Sequence, residues 1–98
     1  MERVHVRQET DYANLDKKGE AFWYFDDCNY PDANGRKEVV FRCPNGHGAA
    51  CTNHSIEPNG EINASVLCWE NDYHEWCILD GWPSDMRKRA GEHFPEKI

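Results

Sequence analysis

The sequence predicts one mainly β domain built of short antiparallel hairpins, and three observations carry that reading. Apolar and aromatic residues fall in brief runs of strand length, at Ala21–Phe25, Glu38–Cys43 and Glu61–Cys68. Asn59-Gly60 stands between two alternating segments, a strong short-range hairpin signal. Four of the five cysteines and three of the five histidines lie between Cys43 and Cys77, in ligand-rich clusters. One structural zinc is usually assembled from separated turns of this kind. A chain of 98 residues has room for a single domain, residues 1–98. It buries a smaller fraction of its surface than a larger chain, so its core is thin and a metal would compensate. The expected architecture is therefore a set of zinc-stabilised antiparallel hairpins with a short C-terminal helix.

Taken in order, Val4 and Val6 alternate as a strand would, and the chain then turns polar from Asp11 to Gly19. Ala21–Phe25 is an aromatic strand that stops at Asp26-Asp27, and Pro31, Asp32, Asn34 and Gly35 make a turn-rich connection. In the strand Glu38–Cys43, Val39, Phe41 and Cys43 share one face, so Cys43 leaves on the apolar side. Ser55–Glu57 and Glu61–Cys68 flank Pro58-Asn59-Gly60, and Ile62, Ala64, Val66 and Cys68 again share a face. Tyr73–Leu79 reads as a strand with His74, Trp76 and Ile78 on one side and Tyr73, Cys77 and Leu79 on the other. After Pro83, Ser84 is placed to cap a helix in which Met86 and Ala90 share a face, Gly91 ends the turn and Phe94 packs beyond.

A structural zinc takes four soft or borderline ligands, delivered as two close pairs. Cys43 and His47 make the first pair, because the Pro44-Asn45-Gly46 insert is a tight turn that lets both side chains converge. Cys68 and His74 make the second, with five residues between them to loop back. Cys51 and His54 are also ligand-spaced and compete with His47 for its position. Cys77 lies across the strand from His74, so the two are not expected on one metal. Cys28 reads as a lone thiol, and His5 and His93 as solvated side chains.

Net charge is −7, with the acids spread along the chain. Direct binding to a phosphate backbone is therefore disfavoured. Arg87-Lys88-Arg89 is a short basic run between Asp85 and Glu92 and reads as a solvated face. No apolar run approaches the length of a membrane helix and Met1–His5 lacks the core of a signal peptide, so a cytoplasmic, membrane-free location is expected. A reducing compartment and an odd number of cysteines favour metal or free thiols over disulfides.

The combination Cys43-Pro44-Asn45-Gly46-His47, Ser65-Val66-Leu67-Cys68 and His74-Glu75-Trp76-Cys77-Ile78-Leu79-Asp80-Gly81 resembles a family of small zinc-binding domains encoded by bacteriophages. The resemblance covers residues 41–83. It implies Cys43, Cys68 and His74 as ligands, Gly81 as the turn after the last strand, and a phage product acting in the host cytoplasm. It implies no activity. Ala64 stands where that pattern has proline, and Glu75 where it has glycine.

Among function classes, metalloprotease and deaminase chemistry are excluded by pattern: Ile78 stands where His-Glu-x-x-His needs its second histidine, and Pro-Cys-x-x-Cys is missing. No catalytic residue is assigned. The leading expectation is an interaction module that binds or modulates a host protein, with Trp69 and Trp82 as exposed aromatics. The alternatives are a zinc-dependent hydrolase using Glu75 as general base, and an acidic nucleic-acid mimic that occupies the basic groove of a host factor.

Overall fold

The run Phe22-Trp23-Tyr24-Phe25 is apolar on both sides, which in a strand means both faces are covered. In the computed structural model, which describes residues 2–27, 36–68, 73–93 and 96–97, it lies inside a sheet. The strands are β1 (Val4–Gln8), β2 (Phe22–Asp27), β3 (Lys37–Arg42), β4 (Gly48–Ala50), β5 (Val66–Leu67), β6 (His74–Glu75), β7 (Cys77–Leu79), β8 (Met86–Arg87) and β9 (Glu96–Lys97). Five of them form a mixed sheet in the order β4-β3-β2-β1-β7, while β5 pairs with β6 and β8 with β9.

Antiparallel pairing, the expected mode, holds for β2–β3 and β5–β6, and it also joins β3–β4 and β8–β9, pairs that the sequence does not predict. It does not hold for β1, which runs parallel to both of its neighbours, with Val6 opposite Leu79 and Arg7 opposite Phe22. Parallel neighbours need a long connection. Segment 9–21 provides it, with a 3-10 turn at Tyr12–Asn14 whose start is capped by the Asp11 side chain. The β7 partner comes from the far side of the sequence, so no local pattern announces it.

The main core gathers Val6, Trp23, Val39, Phe41, Ile56, Ile62, Cys77 and Leu79 on one face of the sheet. Phe22, Tyr24 and Val40 bury the other face under Leu15. Trp82 is buried, not exposed as expected from the sequence. Its ring sits 5.5 Å from Trp23 and 5.6 Å from Phe25, and its indole N–H donates to the Met86 carbonyl. Trp69, the other tryptophan expected at the surface, lies outside the described residues, as do Cys28 and Phe94.

The hairpin at Pro58-Asn59-Gly60 is present, closed by Glu57 N–H donating to Glu61 O and by the bridge between Ile56 and Ile62. The strand expected to continue to Cys68 bends at Asn63-Ala64 and resumes as β5. Likewise Tyr73–Leu79 is two strands separated at Trp76, whose carbonyl accepts from Val4 N–H.

The C-terminal helix predicted after Ser84 is not formed. Ser84-Asp85 is a turn, and Met86–Arg87 pairs with Glu96–Lys97. The backbone of Lys88 exchanges both hydrogen bonds with Ile56. These ladder partners give residues 86–88 an extended solution that the capping pattern does not reveal. No helix among the described residues is long and apolar enough to cross a membrane.

Candidate metal centre

Cys43 follows β3 and His47 precedes β4, so the two face each other across the turn that joins antiparallel strands. Cys43 N–H donates to His47 O at 3.0 Å, and Gly46 N–H closes the tight turn onto Cys43 O at 2.9 Å. Gly46 has φ 87°, and a Cβ there would press on the Lys18 side chain at 3.2 Å, so the turn needs glycine for both reasons. Arg42 steadies it from outside by donating to Gly46 O at 3.0 Å. The local sequence thus converges two donors from one five-residue loop, as its spacing suggests.

The third donor arrives from another part of the chain. Cys68 follows β5, where Val66 faces the core and Leu67 faces outward. By alternation Cys68 is turned inward, and its Sγ lies 3.5 Å from His47 Nδ1. The ligand atoms of Cys43, His47 and Cys68 all lie within 4.8 Å of one another. In a tetrahedral zinc site with Zn–S near 2.3 Å and Zn–N near 2.0–2.1 Å, the sulfur–nitrogen edge is roughly 3.6 Å. The distance between His47 and Cys68 matches that edge, and the group could hold a metal ion.

His74, expected as the fourth donor, is not part of this group. It sits opposite Leu67 in the β5–β6 pair, on the outward face, where its Nε2 lies 2.7 Å from Ser65 Oγ. The same alternation that turns Cys68 inward turns His74 outward. Cys77 is fully buried among core side chains, with its Sγ 3.8 Å from the Tyr73 hydroxyl. Burial pushes both the Tyr73 hydroxyl and the Cys77 thiol above their ordinary values. Glu75 is exposed on β6 and does not line the cavity beside the three donors. His5 is exposed and pairs with Asp80 at 2.7 Å.

That cavity has a volume of about 190 Å³. Besides Cys43, His47 and Cys68, it is lined by Phe41, Val66 and both remaining ligand candidates, Cys51 and His54. Cys51 is 4% exposed. Its burial pushes the thiol up to about 12, against a partial counter-effect from nearby Lys88. Lys88 is 0% exposed and donates from Nζ to the carbonyls of Thr52, His54 and Arg89 at 3.1, 2.6 and 3.3 Å. Burial holds its pKa below the ordinary lysine value. A buried lysine inside a short basic run is invisible to sequence pattern, which reads Arg87-Lys88-Arg89 as solvated. Only its two neighbours are exposed. Ser65 was missed as well, although it touches both His54 and His74.

No protein-family model matches the chain, and neither the curated proteins nor the solved structures contain a significant match to it.

Proposed function

We propose that the chain is a small zinc module, held in shape by an ion bound to Cys43, His47 and Cys68, that works by presenting its β framework to another protein. The observation that carries the zinc reading is the meeting of the Cys43–His47 turn with Cys68 at tetrahedral-edge distance. Two thiols and an imidazole are a donor set suited to zinc, and the ion would cross-link the β3–β4 turn to a segment outside the five-stranded sheet. Its role toward a partner is supported by the net charge of −7, which suits a protein with a basic face. The resemblance to phage-encoded zinc domains makes that partner a protein of a bacterial host.

The test is native mass spectrometry of the purified, reduced chain before and after chelation. One zinc per chain, lost with Cys43→Ser and retained with Cys77→Ser, is the expected result. A metal-free and fully folded wild type would refute the zinc reading. For the partner, co-purification with a bacterial protein that weakens steeply with added salt is expected, since an electrostatic contact is screened within about 8 Å at physiological ionic strength.

A hydrolase is the second reading, favoured by the three-donor group standing beside a cavity, since catalytic zinc keeps a position for substrate. Glu75 is not placed to serve it as base. Metal-dependent turnover of an ester or amide substrate by the loaded wild type would support this reading.

A further inference from the structure

We propose that His54 is the fourth donor, completing a Cys43, His47, Cys68 and His54 set and closing the centre as a structural one. The inference rests on the zinc reading above and deepens it.

His54 lines the same cavity as the three grouped donors but stands outside their 4.8 Å cluster, so completing the shell requires its imidazole to move toward them. Its Nδ1 is buried with no hydrogen-bond partner among the described residues, and a buried polar nitrogen left unmatched costs about 1–3 kcal/mol. A metal ion is the partner that would remove that cost. The other ring nitrogen approaches Ser65 O at 3.4 Å, the arrangement by which a metal-binding histidine has its tautomer set through its second nitrogen. The segment that carries His54 is held firmly. Its N–H bonds Cys51 O, the Thr52 carbonyl accepts from Gly91 N–H, and Lys88 Nζ binds the carbonyls of Thr52 and His54. Lys88 is thus a positioning residue, fixing the backbone from which the imidazole projects.

The competing donors are less well placed. His74 is exposed, and its Nε2 is already engaged by Ser65 Oγ. Cys51 also lines the cavity, but it packs beside Lys88 and Cys77 and lies outside the 4.8 Å group. A Cys2His2 shell with two imidazoles carries no net charge on a divalent ion, which suits a partly enclosed apolar cavity.

The experiment is zinc and cobalt(II) titration of the full, reduced chain and of the variants His54→Ala, His54→Cys, His74→Ala and Cys43→Ser, with zinc affinity read by competition against a chromophoric chelator. His54→Ala is expected to weaken zinc binding by more than the roughly 10–100-fold that loss of an outer partner costs, and to reduce the tetrahedral cobalt absorption. His54→Cys is expected to restore tight binding, with the thiolate-to-cobalt charge-transfer band strengthened by the added sulfur. His74→Ala is expected to cost less than the roughly 10–100-fold of an outer partner, since its contact to Ser65 is exposed. Wild-type affinity in His54→Ala overturns the proposal, and a large loss confined to His74→Ala assigns the fourth position there while leaving the zinc centre intact. Unchanged binding in Cys43→Ser, or no binding by wild type, overturns the zinc reading itself.

Discussion

Lys88 shows how one buried side chain can tie loop backbone together. Its ammonium donates to the carbonyls of Thr52, His54 and Arg89, and a buried donor left unmatched costs about 1–3 kcal/mol. Lys88→Met keeps the stem's packing but removes the donors. It is expected to destabilise the fold by roughly 2–4 kcal/mol in denaturant titration, with the region around Thr52–His54 losing hydrogen-exchange protection first. Cys51 and Lys88 also titrate in opposite senses. The thiol is raised in the folded state, so its contribution is complete below the unfolded value of 9.0 and is lost as pH climbs toward about 12. Lys88 is lowered from 10.5, so the cost of burying its charge fades as pH rises toward that value. Comparing Cys51→Ala with wild type between pH 8 and 10.5, under reducing conditions, separates the two. Above pH 9 wild type is expected to lose stability relative to the variant with a slope of up to ~1.4 kcal/mol per pH unit. Parallel profiles would show that the thiol ionises no differently in the folded chain.

At the scale of elements, the turns were the most legible parts. Pro58-Asn59-Gly60 reads as a hairpin because Asn-Gly accepts positive φ, and Gly60 adopts φ 92°. The structure adds a second constraint, since a Cβ at Gly60 would fall 2.4 Å from the Leu79 carbonyl oxygen. Gly60→Ala is accordingly expected to cost at least about 2 kcal/mol, combining the left-handed penalty with a backbone clash. A thermal midpoint equal to wild type would contradict this packing. The C-terminal element was misread because Ser84, Met86, Ala90 and Gly91 satisfy helix capping and spacing. Those preferences are worth only about 1 kcal/mol each, less than the bonds that Ile56 and Glu96–Lys97 offer to an extended chain. For β6, period-two alternation correctly separates Cys77 from His74. Whether His74 shares a face with Cys68 depends on the β5–β6 register, with Leu67 opposite His74, which alternation within one strand does not supply.

Over the whole molecule, several strands are only two residues long, and the β5–β6 and β8–β9 pairs lie outside the main sheet. Two-stranded pieces of this kind are marginal by themselves. Structural zinc supplies apparent folding free energy on the order of 10 kcal/mol in small domains, enough to hold such pieces in register. Chelation is therefore expected to abolish the cooperative thermal transition, or to lower its midpoint by more than about 15 °C on the scale of small-domain stability. Cys43→Ser is expected to reproduce the effect without chelator. A chelated chain that melts as the untreated one does would place the stability in the five-stranded sheet alone.

By itself the sequence determined the β character, the hairpin at Asn59-Gly60 and the convergence of Cys43 with His47. Each of these follows from neighbours within a few positions, where side-chain alternation and turn geometry act directly. The tertiary structure decided that β1 lies parallel between β2 and β7, that Trp82 and Lys88 are buried, and that Cys68 reaches His47 while His74 faces away. These depend on which distant segments share a core, and pairing across such separations is selected by total burial and hydrogen-bond satisfaction, which no local pattern encodes.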